Sequence, residues 1–277
     1  MKTKVSLIAT VIFVLLSLMT DGLLAQEKQS GTEYVPEIGQ RGKDVVWVPT
    51  PQELVNKMLE MAEVTSNDFV IDLGSGDGRT VITAAKIGAR ALGVEYNPDM
   101  VALSKENAKK EGMSDKVEFI QADLFWTDLS KATVITMFLL PEINLKLRPR
   151  LLDLKPGTRI VSNTFTMAEW EADFEGTTEE NWNSWNTAFL WIVPAKVGGT
   201  WKLGDGELNL IQEFQFIRGT YISTGKSYTV TDGRLRGNSI SFTINNEKYS
   251  GTVGDKTIKG TATNASEGSK WDWIATK

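Results

Sequence analysis

The sequence predicts a mostly parallel, doubly wound α/β sheet followed by a small antiparallel β-domain. Two observations predict this. From Gln52 to Asn163 short apolar runs alternate with helix-patterned segments, the grammar of strand, crossover helix and parallel strand. After Pro194 helical patterning stops, and short alternating segments broken by pairs such as Asp205-Gly206, Asp232-Gly233 and Asn245-Asn246 take over, which suggests a small barrel or sandwich. The length of 277 residues agrees, since it exceeds the about 100 to 200 of a typical single domain.

Taken in order, Lys2 and Lys4 precede a mostly apolar stretch from Val5 to Met19, and Leu23-Leu24-Ala25 precedes polar Gln26. Residues 1–25 therefore read as a secretory signal peptide, or as an uncleaved membrane anchor through residues 5–19. Export, periplasmic or extracytoplasmic, is the expectation. Residues 26–44 read as a polar linker or arm, 45–194 as the α/β domain and 195–277 as the β-domain. Pro49-Thr50-Pro51 stops helix before itself and starts one over Gln52 to Val64, where Leu54, Val55, Met58 and Leu59 share a face. Further helices are expected over Thr80–Lys86, Pro98–Glu111 and Pro141–Leu152, with strands at Phe69–Ile71, Ala91–Glu95, Lys116–Gln121, Ala132–Met137 and Thr158–Asn163. In the β-domain, strands are expected around Trp201, Ile211, Tyr221, Phe242, Tyr249, Ile258 and Trp273.

Composition excludes much chemistry. Apolar content of 41% supports an ordinary core, and a net charge of −5 gives no reason to expect a nucleic-acid partner. Cysteine and histidine are both absent. No disulfide framework, thiolate nucleophile, imidazole base or Cys/His metal site can form.

The most informative stretch is Val70-Ile71-Asp72-Leu73-Gly74-Ser75-Gly76-Asp77-Gly78-Arg79. An apolar strand ends at an acid and turns into a helix through three alternate glycines, which let a ligand lie against bare backbone. A dinucleotide fingerprint wants Gly-x-Gly-x-x-Gly, but position 79 is Arg, and the carboxylates of Asp72 and Asp77 suit a cationic ligand better than a diphosphate. Glu95 ends the next strand, 21 positions after Gly74, where a carboxylate can accept hydrogen bonds from both ribose hydroxyls. Asp123 follows the third strand and could accept from an adenine amino group. Three strand ends carry three acids, and Arg79 reads as a helix-start or surface residue.

Residues 45 to 170 resemble class I S-adenosylmethionine (SAM)-dependent methyltransferases, which have a Rossmann-like fold. The narrower resemblance is to the small lysine methyltransferase family of the ATP synthase and adenine nucleotide translocase type. It rests on Val48-Pro49-Thr50-Pro51, the stretch Asp72 to Arg79, Asn97-Pro98 and Phe138-Leu139-Leu140-Pro141-Glu142. The resemblance implies SAM over Gly74, Ser75, Gly76, Asp77 and Gly78, an arm folded over it, and a protein lysine or small-molecule acceptor entering beside Leu140, Pro141 and Glu142. Glu142 would help deprotonate the amine, or it serves only the helix dipole. Thr50 would contact the methionine carboxylate, or it caps the helix. Acids and indoles between Met167 and Trp191, among them Trp170, Trp182, Trp185 and Trp191, form either a rim for a basic acceptor or a surface hairpin packed on the sheet edge. From another class, the alternative is a non-catalytic extracytoplasmic binding protein whose β-domain does the recognition.

Overall fold

A computed structural model of the chain describes residues 34–179 and 185–277. The expected signal peptide and Trp182 lie outside the described residues. Residues 36–277 form one compact unit. Its first half runs α1 (Gln52–Met61), β1 (Phe69–Leu73), α2 (Arg79–Ile87), β2 (Arg90–Glu95), α3 (Pro98–Lys110), β3 (Val117–Gln121), β4 (Val134–Met137), α4 (Pro141–Leu152), β5 (Arg159–Asn163), β6 (Phe174–Thr177) and β7 (Thr187–Ile192). The seven strands lie in the order β3-β2-β1-β4-β5-β7-β6. Strands β1 to β5 pair in parallel, and β7 runs antiparallel to both β5 and β6.

Strand alternation divides the sheet between two cores. Val70, Val134 and Val161 face one way and pack with Leu54, Val55, Met58 and Leu59 of α1 and with Val81 and Ile82 of α2. Ile71, Leu73, Ile135, Met137 and Ile160 face the other way, onto Ile143, Leu147 and Leu151 of α4. Helix starts follow local chemistry. Asn97 accepts from the N–H of Asp99 at 2.9 Å, with Pro98 at the first helical position of α3.

The β-domain is a closed antiparallel barrel of eight strands: β8 (Gly199–Leu203), β9 (Gly206–Glu213), β10 (Phe216–Ser223), β11 (Lys226–Arg236), β12 (Ser239–Ile244), β13 (Glu247–Val253), β14 (Thr257–Asn264) and β15 (Lys270–Thr276). Its interior is packed with Trp201, Leu208, Ile217, Leu235, Phe242, Tyr249, Ile258 and Trp273, as expected for a small barrel filled by its own side chains. The sequence missed β11, the longest strand, because Asp232-Gly233 sits in its middle. That pair is a bulge rather than a turn, with the register shifting between Thr231 and Arg234. Glycine is required there: a Cβ at position 233 would lie 2.2 Å from the Ile217 carbonyl oxygen.

The barrel joins the sheet at the end away from the carboxyl tips of the parallel strands. Ile192, the last residue of β7, pairs with Arg159, the first of β5, and the N–H of Ala195 donates to the Gly237 carbonyl. The expected surface hairpin between Met167 and Trp191 is instead partly core. Trp170 and Trp191 are fully buried, the Trp191 Nε1–H donates to the Trp170 carbonyl at 2.7 Å, and Phe214 of the β-domain stacks on Trp170.

Candidate active site

At the carboxyl tips of β1, β2 and β4 lies a cleft of about 1020 Å³, its open mouth included, lined by Asp72, Gly74, Ser75, Gly76, Asp77, Glu95, Asp123 and Thr50. The turn that makes it is built from backbone. The N–H groups of Gly74 and Ser75 both donate to the Val94 carbonyl, at 2.9 and 3.1 Å. Gly74, Gly76 and Gly78 have φ of 78°, 54° and 83°, a region that L side chains avoid.

Each acid in the cleft has a different environment. Asp72 is buried and accepts a single hydrogen bond, from the Thr136 hydroxyl at 2.6 Å. Burial pushes its carboxyl up to about 7, against the pull of Thr136 and with help from the nearby Glu95 and Asp77 charges. Glu95 is held by backbone alone: Oε2 accepts from Gly76 N–H at 3.0 Å, and Oε1 from Tyr96 and Asn97 N–H at 2.8 and 2.9 Å. Asp77 is paired with Arg79, whose Nη2 donates to Oδ2 at 2.6 Å and whose Nε donates to Oδ1 at 3.0 Å. Its carboxylate therefore meets the cleft already paired with Arg79, while still adding to the field at Asp72. Arg79 starts α2, as the sequence reading has it, and its Nη1 also donates to the Thr50 carbonyl at 2.9 Å and ties the arm to the glycine turn.

The arm is folded, not a linker, over its described part. Gly39 N–H donates to the Trp47 carbonyl at 2.8 Å and Trp47 N–H to the Gln40 carbonyl at 2.9 Å, forming a small hairpin across the cleft. Trp47 lies against the glycine turn, close enough that a Cβ at Gly76 would be 2.6 Å from its indole nitrogen. Lys43 reaches across to Asp123, with Nζ 2.5 Å from Oδ2, and lies 5.0 Å over the Tyr96 ring. The Asp123 carboxyl is held below its usual range, first by the Lys43 hydrogen bond and then by Phe125 N–H. Asp123 thus serves as the arm's latch in addition to facing the cleft. Thr50 does not cap α1, where Pro51 holds the cap position without a side-chain bond; its hydroxyl accepts from Asn163 Nδ2 at 3.2 Å. Nothing in the sequence pattern marked Lys43, Trp47 or Asn163, because each acts through a partner distant in the chain.

A second, outer cleft adjoins the first. Arm residues 41–46 and 48, with Phe138 and Leu139, line both, and Leu140, Phe165 and Trp185 complete its wall. Phe138 stacks on Phe165 at 6.2 Å and meets Trp185 edge-on at 5.8 Å. Of the expected acceptor residues only Leu140 lines this cleft. Pro141 and Glu142 line neither and are exposed at the first turn of α4, where Glu142 complements the helix dipole. The Leu140 carbonyl accepts from Ile143 and Asn144 N–H, so it is committed to the helix.

The donor cleft fits SAM by the chemistry of its groups. A buried carboxylate, Asp72, has one neutral partner; Ser75 Oγ is buried with no partner; and Glu95 stands at a strand tip among backbone N–H donors. A ligand with positive charge and polar hydroxyl and amino groups satisfies that set.

Comparison with known proteins agrees. Residues 72–174 match the family model described as the ANTKMT methyltransferase domain. The chain is 41% identical over 163 residues to a protein-lysine N-methyltransferase of Saccharolobus islandicus, covering 58% of this chain and 96% of that protein. It is 36% identical over 104 residues to the adenine nucleotide translocase lysine N-methyltransferase of Mus musculus, covering 37% of this chain and 45% of that one, so it spans less than half of that relative's length. A crystal structure described as an RNA methyltransferase from Salinibacter ruber in complex with S-adenosyl-L-homocysteine superposes with a TM-score of 0.51 at 47% identity, covering 54% of this chain and 96% of that one. The chain belongs to the class I SAM-dependent methyltransferases, in the small family that contains the Saccharolobus protein-lysine N-methyltransferase.

Proposed function

We propose that the methyl acceptor is a protein lysine amine entering through the outer cleft. The observation that carries this reading is the cleft's wall: three aromatic rings, Phe138, Phe165 and Trp185, with Asp44, ion-paired with Lys43 at 3.6 Å, on the same rim. Apolar walls suit the four-carbon stem of lysine, and ring faces attract its cationic head. Long-range charge supports a basic partner. Residues 34–194 carry 24 acidic and 16 basic side chains, whereas the barrel, 195–277, carries 8 and 11.

SAM supplies a methyl group already activated as a sulfonium, so the chain's task is to present a neutral amine in line. The protein has no histidine to act as base. Desolvation between Phe138, Phe165 and Trp185 instead lowers the pKa of an entering ammonium, and its proton leaves by way of the Asp44 rim to solvent. Leu139, buried between the clefts, excludes water from their junction. The intact acids and the family membership set aside a non-catalytic binding protein.

The test is transfer of labelled methyl from SAM to poly-L-lysine, to a mixed protein extract and to total RNA. Methyllysine recovered after acid hydrolysis is expected; label confined to RNA overturns the reading. From residues 1–25 alone we also propose export with cleavage near Ala25. The mass of the mature N-terminus checks that.

A further inference from the structure

Helix α4 packs onto the sheet with Ile143, Leu147 and Leu151, and a polar residue, Asn144, is fully buried among them. A buried amide on an apolar helix face is unfavourable unless its hydrogen bonds are made. Asn144 makes them on one side only. Its Nδ2 donates to Ser162 Oγ of β5 at 3.3 Å, to the Phe165 carbonyl at 3.2 Å and to the Thr166 carbonyl at 3.3 Å. Its Oδ1 is buried with no hydrogen-bond partner among the described residues, and turning the amide over would set that oxygen against two carbonyl oxygens. The amide is therefore oriented by the carbonyls it holds, at the expense of its own acceptor.

The chain that Asn144 holds leaves the sheet through a strained turn. Strand β5 ends at Asn163, and the Thr164 N–H still donates to the Thr187 carbonyl of β7 at 2.7 Å. Directly afterwards the Phe165 N–H turns back onto the Asn163 carbonyl at 2.7 Å, and Thr164 has a φ of 62°. A β-branched residue is an outlier in that region and stays there only where its surroundings over-determine it. Here the Thr164 hydroxyl donates to Asn163 Oδ1 at 2.8 Å, and Asn163, fully buried, donates from Nδ2 to Thr50 Oγ1 at 3.2 Å. The turn brings Phe165 into the outer-cleft wall with Phe138 and Trp185, its ring stacked on Phe138 at 6.2 Å. The backbone of Phe165 is thus held twice, at N–H by the Asn163 carbonyl and at C=O by Asn144. Asn144 itself lines neither cleft.

We propose that Asn144 is a positioning residue for the methyl acceptor: by holding the Phe165 and Thr166 carbonyls it keeps the Asn163–Thr164–Phe165 turn closed and the Phe165 ring in the acceptor's wall. The inference rests on the assignment of the outer cleft to the acceptor. Without this clamp the turn relaxes toward the ordinary regions of backbone space, and Phe165 moves off Phe138. The donor cleft is spared, because Ser162, Phe165 and Thr166 take no part in its lining.

The experiment compares the full chain with Asn144→Ala, Phe165→Ala and the two together. In Asn144→Ala the KM for poly-L-lysine is expected to rise about fivefold, with kcat and the affinity for S-adenosyl-L-homocysteine within about twofold, the pattern of lost acceptor binding. The Phe165 amide should exchange about tenfold faster, while the Gly74–Gly78 amides keep their protection. Phe165→Ala raises the KM as well, and adding Asn144→Ala to it changes the KM by less than about twofold, since Asn144 acts through that ring. An unchanged KM in Asn144→Ala overturns the proposal. So do additive effects in the double variant, or a parallel loss of S-adenosyl-L-homocysteine affinity, either of which would mark a merely structural amide. Should Asn144→Ala fail to fold, Thr164→Gly loosens the same turn: glycine takes up a positive φ without strain but does not confine it, and the hydroxyl bond to Asn163 is lost. A raised KM with a faster Phe165 amide is expected there too, and an unchanged KM overturns the proposal. If the unmodified chain methylates RNA and not lysine, the lysine reading fails, and the same comparison with RNA as acceptor decides this one. If it methylates neither, the Phe165 amide decides, and unchanged exchange in Asn144→Ala overturns the clamp.

Discussion

The donor and acceptor clefts share the arm, residues 41–46 and 48, with Phe138 and Leu139, but what each adds to that common wall is built in an opposite way. The donor cleft adds the stretch Asp72 to Leu124, in which each strand tip delivers an acid and the following turn or helix completes its surroundings. The acceptor cleft adds Leu140, Phe165 and Trp185, which approach only after the strands of the sheet have packed. Local backbone geometry specifies the first addition, whereas tertiary packing specifies the second. Substitutions in the first should be severe and affect donor binding, and substitutions in the second should be milder and selective for the acceptor.

The largest expected effect lies at Gly78. Its φ is 83°, and a Cβ there would lie 2.8 Å from both Phe119 Cζ and Ser104 Cβ. Gly78→Ala combines left-handed strain with overpacking and should cost about 2–4 kcal/mol of stability, read as a lowered denaturant midpoint. A loss below about 1 kcal/mol would show that α3 and β3 yield more easily than close packing allows. Next comes Trp47→Ala, which removes the side chain that closes the arm onto Gly76. The affinity for S-adenosyl-L-homocysteine should fall about tenfold, equivalent to about 1.4 kcal/mol, with faster amide exchange over residues 39–47. An unchanged affinity would mean that the arm closes without contributing to donor binding.

The same contrast explains what the sequence made legible. The strand-turn-helix reading of Val70 to Lys86 and the placing of Glu95 at a strand tip needed only apolar runs, glycine spacing and acids, all within about 50 residues, and the parallel order follows from alternating strands and helices. Arg79 was legible as the residue that starts α2, but its bond to the Thr50 carbonyl was not, because only the fold brings Thr50 beside it. Glu142 was overvalued because a motif gives position along the chain and not direction: the helix that starts at Pro141 turns residue 142 to solvent. In the barrel, Asp232-Gly233 looks like a turn by composition, and only pairing of Ile217 with Gly233 reveals a bulge. Trp170 and Trp191 were read as a rim or as packed on the sheet edge; that they are fully buried was not legible, because their cover, Phe214 among it, belongs to the next domain.

On the acceptor side, Trp185→Ala removes one ring of three and leaves Phe138 and Phe165 stacked. The KM for poly-L-lysine should rise about threefold to tenfold, since a ring contact with a cation contributes on the order of 0.5–1 kcal/mol at an exposed site and more when desolvated. Donor affinity should stay within about twofold. A fall in donor affinity of the same size would break the division between the two clefts.

The smallest expected effect at neutral pH, and the one that tests the donor site most directly, concerns Asp72. Its folded pKa of about 7 lies well above the ordinary carboxylate value, so between the two the folded chain holds a proton that the unfolded chain has lost. Stability from this group is therefore greatest at low pH, falls as pH rises toward 7, and levels off above it. Donor binding has the opposite sign. A cationic ligand favours ionised Asp72, so below pH 7 binding must expel the proton, and affinity should drop by up to about tenfold per pH unit. Calorimetry with SAM at pH 5.5, 6.5 and 8, in buffers of different ionisation heat, should show weaker binding and proton release toward low pH. Asp72→Asn should bind more weakly at pH 8 and lose the dependence. A flat profile in the unmodified chain would mean that burial does not hold the proton on Asp72, and that the cation is met elsewhere in the cleft.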